Sequence, residues 1–379
     1  MIYLTYKTKN KTKQLDLFDS IYNDTPEIQK NQLLDYPTYS TIKTHKICTT
    51  EFNKTQENNL IKYLKKFLET KQHIISDILE NTENYYTTFK IPKHSGGFRT
   101  IDAPNAILKT LLREVKDILQ DYCSIHPHNA AYAYIPKRCA RHAIEKHQYN
   151  KSKHFLHLDL KDFFQSCTET FIHQQLKQVY PLNTLYNNTE HKEIIEKIIK
   201  LSLYKGHLPQ GTPLSPFLTN IIMIPIDYQF QNLCKQRNKQ HFVYTRYADD
   251  IDISSKYDFN HKDLLKELEE ILNEQTPLKI NTNKIHYGTT AGRNWHLGLL
   301  LNNENKISIG NKKKKEIKNI LLNFCTHRDL WTKEDMQQFH GQLAYFHSIE
   351  PEYHDYLIEK YSEKYNQGIN ILSTLRDNI

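Results

Sequence analysis

The chain has 379 residues but only 10 glycines, against roughly 27 at an average usage of about 7%. A chain so sparing of glycine keeps those it has where the backbone needs them. Half fall in segments that matter below: Gly96, Gly97, Gly206, Gly211 and Gly298. Cysteine is scarce too. The six (Cys48, Cys123, Cys139, Cys167, Cys234, Cys325) include no Cys-x-x-Cys pair, which argues against a disulfide framework and a zinc site and for idle thiols in a reducing compartment. No apolar stretch approaches the ~20 residues that span a bilayer. Met1-Ile2-Tyr3-Leu4 runs at once into Lys7, Lys9, Lys11 and Lys13, leaving no room for the apolar core of a signal peptide. A cytoplasmic protein with no membrane partner is expected.

What is present is charge and a patterned interior. Lys plus Arg number 51 against 43 Asp plus Glu, a net +8, which suits a polyanionic partner without specifying one. The mean hydropathy is −0.70. The length allows two or three domains and a sizeable core.

Residues 1–50, rich in Lys, Asn and Thr, show no sustained period and read as an N-terminal arm. Apolar stripes predict a helix over 57–80 and another through Ile107, Leu111, Val115 and Leu119, with strands at 86–91 and 98–101 around a turn at 93–97. Further on, a strand is expected at 154–160 and helices at 168–179, 193–203 and 216–234, the last kinked or cut by Pro225. A hairpin over 242–254, a helix around 264–272, short strands near 295–301 and 306–309 and a helical tail from Lys312 complete the pattern. Strands and helices alternate without a βαβ beat, so the expected class is α+β.

Two segments carry the acids of interest. His154-Phe155-Leu156-His157-Leu158-Asp159-Leu160 ends a buried-type strand on a carboxylate. Tyr244-Thr245-Arg246-Tyr247-Ala248-Asp249-Asp250-Ile251 puts two more at a hairpin tip. Three carboxylates brought together repel one another unless a cation sits among them, and Mg²⁺ shared with substrate phosphates is the usual solution. A polar turn without a metal is the plainer reading of Asp249-Asp250 alone.

The surroundings narrow the choice. Leu158-Asp159-Leu160-Lys161-Asp162-Phe163-Phe164, then Leu208-Pro209-Gln210-Gly211, then Tyr247-Ala248-Asp249-Asp250 arrive in one order. They follow Ile91-Pro92-Lys93, Gly96-Gly97-Phe98-Arg99, Ala103-Pro104 and Leu108-Lys109. From about Tyr85 to its end the chain resembles the bacterial reverse transcriptases of the retron, group II intron and defence-associated type. The resemblance implies a right-hand polymerase, with an N-terminal arm over 1–50, fingers over 51–150, a palm with an antiparallel sheet over 151–300 and a helical thumb over 301–379. It implies an RNA-directed DNA polymerase, a nucleotidyltransferase that adds dNTPs to a primer with two Mg²⁺ ions, Mn²⁺ being a substitute.

It also assigns roles. Asp159, Asp249 and Asp250, with the Leu160 carbonyl, would hold the metals, and Lys284 matches a lysine that protonates the leaving pyrophosphate. Lys93 and Arg99 would meet the triphosphate, Gln210 and Gly211 the nucleotide or template. Phe164, five residues after Asp159, would collide with a ribose 2′-OH and so favour dNTPs. Trp295 and Gly298 look like the primer grip. Lys312, Lys313, Lys314, Lys315 and Lys318 would follow a duplex backbone.

Only about 80 residues follow Gly298, too few for an RNase H domain, and no Cys/His cluster suggests an intron-type nuclease. Retron enzymes carry Val-Thr-Gly near the primer grip and Asn-Ala-x-x-His before the first palm motif. Here His296-Leu297-Gly298 and His142-Ala143-Ile144-Glu145-Lys146-His147 stand instead. These departures favour a stand-alone enzyme of antiphage defence, working with a dedicated noncoding RNA, a DNA product and an accessory protein or a second copy of itself. The alternatives are a retron enzyme making msDNA and a catalytically idle RNA-binding scaffold.

Overall fold

The computed structural model describes residues 54–92, 97–123, 125–237, 241–292, 297–365 and 370–377. The expected N-terminal arm, Lys93 and Trp295 lie outside them. In chain order the elements are α1 (Lys54–Thr70), α2 (Gln72–Glu80), β1 (Tyr86–Pro92), β2 (Phe98–Pro104), α3 (Ala106–Tyr122) and α4 (Ala140–Tyr149). There follow β3 (His154–Lys161), α5 (Phe163–Ser166), α6 (Glu169–Leu176), α7 (Leu182–Leu185), α8 (Thr189–Ser202), α9 (Ser215–Ile222) and α10 (Ile224–Gln236). The chain continues through β4 (Phe242–Tyr247), β5 (Asp250–Ser255), α11 (His261–Gln275), β6 (Lys279–Ile280) and β7 (His286–Thr289). It ends with β8 (Leu300–Leu301), β9 (Ile307–Ser308), α12 (Gly310–Thr326), α13 (Lys333–Ile349), α14 (Pro351–Tyr365) and α15 (Ile371–Asp377). The class is α+β.

The helix expected over 57–80 is two helices, because Lys71 leaves helical torsions at φ −107, ψ 13. The break lets Leu60 and Leu64 of α1 and Ile75 and Ile78 of α2 reach one core. α3 starts where expected, since the Asn105 side chain accepts the Leu108 amide at 2.9 Å and supplies an N-cap. α9 ends just before Pro225, and α10 takes that proline into its first turn, where a missing N–H costs nothing.

The central sheet runs β4-β5-β3-β6, with β7 also paired to β3, and every pairing is antiparallel. Alternation along β3 sorts its residues. Leu156 and Leu158 lie opposite Ile253 and Ile251, and these side chains enter the main core with the helices. On the other face His157 lies opposite Asp252 and Asp159 opposite Asp250. One sheet face is therefore apolar, and the other carries acids towards the β4–β5 turn and Phe155 at the far end of β3.

β8, β9 and the last four helices enclose a second core around Leu301, Ile317, Phe324, Phe339, Leu343, Phe346 and Leu357, which also takes in Ile144 of α4 and Phe155 of β3. α13 opens with a Thr332/Asp335 capping box. The strand expected near 295–301 is confined, among the described residues, to Leu300–Leu301. Among those residues no helix is long and apolar enough to cross a membrane.

Candidate active site

The β4–β5 connection is only Ala248-Asp249, since Tyr247 pairs with Asp250. Ala248 sits at φ 58, a left-handed conformation costing an L-residue with a Cβ about 1–2 kcal/mol. Arg246 holds it there, donating from Nη1 to the Ala248 carbonyl at 3.1 Å. Arg246 and Asp227 of α10 are both 0% exposed. Their forked pair has Nε–Oδ1 and Nη2–Oδ2 distances of 2.8 Å. The Tyr244 hydroxyl also donates to Asp227, at 2.6 Å. Asn220 of α9 accepts from the guanidinium at 3.4 Å and donates to the Ala133 carbonyl at 2.8 Å. Backbone bonds between Arg246 and both Ala130 and Tyr132 clamp the 128–138 loop to the same strand. A bidentate, doubly hydrogen-bonded pair is the arrangement in which a buried charge is tolerated.

The acids sit on this platform. Asp159 is 5% exposed. Its Oδ1 accepts from Lys284 Nζ at 2.7 Å and its Oδ2 from Asn281 Nδ2 at 3.2 Å. The Leu160 amide donates to the Asp249 carbonyl at 3.0 Å, locking β3 to the turn. Burial pushes the Asp249 carboxyl up, and the Asp159 charge adds to it. Burial and then Asp249 push Asp250 up to about 6. Burial alone would lower the His157 imidazole, but Asp252, Asp250 and Asp159 outweigh it and hold it at about 9. The hydrogen bond to Asp159 raises the Lys284 ammonium and keeps it charged. Carboxylates are the donor type a hard divalent cation such as Mg²⁺ takes, although the oxygens of Asp159, Asp249 and Asp250 do not all lie within 4.8 Å of one another as they stand.

Around this edge, Arg99 is exposed on β2. Phe164 is 8% exposed and packs edge-on against Phe163 at 5.6 Å between centroids. Gly211 has φ +119, and a Cβ there would stand 3.1 Å from Ile101 and 3.2 Å from the Asp102 carbonyl. The Asp102 amide bonds the Gln210 carbonyl at 3.1 Å. The close approach this glycine permits is thus to β2, which it ties to the sheet edge.

These residues lie within a segment, 91–322, that matches the family described as "Reverse transcriptase (RNA-dependent DNA polymerase)". The chain belongs to this family. It is therefore an enzyme of RNA-dependent DNA synthesis, a nucleotidyltransferase of the bacterial, retron-like group. It is 29% identical over 298 residues to the Retron Ec83 reverse transcriptase of Escherichia coli, covering 75% of this chain and 91% of that one. Against the Retron Mx65 reverse transcriptase of Myxococcus xanthus the identity is 26% over 283 residues, covering 71% and 62%. Among solved structures, a Candida albicans telomerase aligns over 81% of this chain and 70% of that one at 13% identity, with a TM-score of 0.44.

Of the residues expected from sequence, Asp159, Asp249, Asp250 and Lys284 gather at one edge, with Leu160 bonded to the turn. Gly298, at φ 83, and the lysine run lie beyond it, on the way into and along α12. Lys312, Lys313 and Lys315 are exposed. Lys314 is bound to Glu350 at 2.7 Å and sits over the Tyr353 ring, as does Lys318. Sequence reasoning missed Arg246, Asp227 and Asn220, although an arginine inside an apolar-alternating strand is a signal that an acid must meet it. It also missed Tyr134, an exposed non-glycine residue at φ 60.

Proposed function

We propose that the chain extends a primer on an RNA template with dNTPs, as a right-hand enzyme with fingers over 51–150, palm over 151–300 and thumb over 301–379. The observation that carries this reading is the register of Asp159 against Asp250, with Asp249 at the adjoining turn and Lys284 seated on Asp159.

In this reading Asp159, Asp249, Asp250 and the Leu160 carbonyl would hold two Mg²⁺ ions, or Mn²⁺ in their place. When bound, such ions neutralise triphosphate charge and lower the pKa of a coordinated hydroxyl. Lys284 donates a proton to the departing pyrophosphate, which its charged state allows. Lys93 and Arg99 orient the triphosphate through charge-assisted hydrogen bonds. Gln210 and Gly211 border the nucleotide through their tie to β2. Phe164, held edge-on by Phe163, stands where a ribose 2′-OH would clash. Trp295 and Gly298 position the primer, and the α12 lysines follow the duplex.

The template is a dedicated noncoding RNA, and the setting is antiphage defence in the cytoplasm. Among the forms this takes, a retron enzyme making msDNA is favoured by one observation: the relatives in both E. coli and M. xanthus carry the retron name. An idle scaffold has no use for Lys284 on Asp159.

The test is primer extension by purified protein on an RNA template with Mg²⁺ and dNTPs, beside Asp249→Ala/Asp250→Ala, with sequencing of any co-purifying nucleic acid. DNA made by the wild type alone supports the polymerase reading. A bound RNA joined to DNA marks the retron form, and a bound RNA with no extension under any primer marks the scaffold.

A further inference from the structure

Helices α13 and α14 are joined by Glu350 alone. This tight corner brings His347, from the last turn of α13, against His354 and Asp355 of α14. The two imidazoles meet edge-on with 4.9 Å between centroids. His354 Nδ1 is 2.8 Å and His347 Nε2 is 3.7 Å from Asp355 Oδ1. Among the described residues this is the one His/Cys/Asp/Glu trio whose ligand atoms all lie within 4.8 Å of one another.

We propose that His347, His354 and Asp355 form a metal site for a borderline divalent ion, Zn²⁺ in kind, separate from the carboxylates of the sheet edge. Two imidazoles and one carboxylate make an N₂O set, which favours zinc, cobalt, nickel or copper over magnesium. His354 is 2% exposed and its Nε2 has no hydrogen-bond partner, so the ring's polar contact is made through Nδ1, at the site. Tetrahedral bonds of ~2.0–2.1 Å set ligand atoms roughly 3.4 Å apart, so His347 must move in and Asp355 Oδ1 must draw back a little from His354 Nδ1. The His347 side chain, 27% exposed, and that of Asp355, 66% exposed, have the freedom to do so. Water completes the coordination on the solvent side.

The consequence is local and structural. Glu350, the joint of the corner, receives Lys314 from α12. A metal across the corner would fix that joint, and with it the α12 face that carries the lysine run. The inference does not depend on polymerisation and stands or falls apart from it.

The test uses the full chain carrying Asp249→Asn and Asp250→Asn, which removes the other carboxylate site, with Co²⁺ and Zn²⁺ alone as probes. One equivalent of Co²⁺ is expected to give the visible absorption of low-coordinate cobalt, bleached by Zn²⁺, and Zn²⁺ is expected to raise the melting temperature. His347→Ala, at a half-buried position, and Asp355→Ala, at an exposed one, both outside the apolar core, are each expected to weaken binding by at least about tenfold and to abolish the thermal shift. Binding unchanged in both variants would overturn the proposal. So would a wild type with neither absorption nor shift, which would leave a plain His–Asp hydrogen bond.

Discussion

Asp159 is the residue with the most at stake. It faces Asp250 across the ladder and takes both Lys284 and Asn281 on its own oxygens. Lys284→Ala removes the proposed proton donor without touching the core, because the side chain is 58% exposed. Single-turnover incorporation is expected to slow by about 10²-fold or more, with the protein's melting temperature unchanged. Phe164 makes a different prediction. Phe164→Ala is expected to raise NTP incorporation relative to dNTP, read by single-nucleotide addition of each. Because the ring is nearly buried, the variant is also expected to lose stability, up to about 3–5 kcal/mol for a fully buried phenylalanine. Unchanged sugar discrimination in folded variant protein would leave Phe164 as core alone.

At the scale of elements, the β4–β5 turn proposed to be catalytic is held from below by the Arg246–Asp227 pair. Removing one partner strands the other charge in the core. Asp227→Asn is therefore expected to cost about 3–5 kcal/mol in denaturant unfolding and to impair extension, although Asp227 is wholly buried. The neighbouring loop supplies a pH signature. His128 is 5% exposed and its Nδ1 accepts the Ala130 amide at 3.1 Å, so it must stay neutral there. Burial first, then the Arg246 and Lys146 charges against Asp227, hold it down at about 4. Its folded pKa lies below the unfolded value of about 6.5, so its stability is intact above that value. It is lost as pH falls from about 6.5 towards 4, amounting to about 3 kcal/mol. His128→Asn, whose carbonyl accepts the same amide, is expected to flatten the stability profile over that interval relative to wild type.

The elements also show what was legible beforehand. Alternation in 154–160 and 242–254 and apolar stripes in α3, α8 and α11 announced themselves, because their faces are dictated by burial. β7 did not. His286-Tyr287-Gly288-Thr289 has no apolar alternation and is a strand because β3 offers it a partner. The split of α1 from α2 at Lys71 was hidden for a similar reason, since both stripes keep a helical spacing. The order of the motif acids named the chemistry, yet the acid under Arg246 sits 19 residues away on a helix. Only the fold brings the two together.

Across the whole molecule, one apolar core joins the N-terminal helices to the sheet, and a second holds the C-terminal bundle against α4 and β3. The exposed face of α12 is the proposed duplex-binding surface. Lys312→Ala/Lys313→Ala/Lys315→Ala is expected to reduce the slope of log K against log salt by about 2–3, at up to ~0.9 for each phosphate that is no longer neutralised. Lys314→Ala is expected to change it less, because that ammonium already belongs to Glu350. Binding of a primer–template duplex from low to high salt measures both.

The most direct measurement is single-turnover addition of one complementary dNTP to a primer on an RNA template, across a Mg²⁺ titration, for wild type and Asp249→Asn. The carboxylate edge requires a rate that rises with Mg²⁺, vanishes with EDTA, and falls by at least about 10³-fold in the variant. An Asp249→Asn protein that extends the primer at the wild-type rate would contradict it.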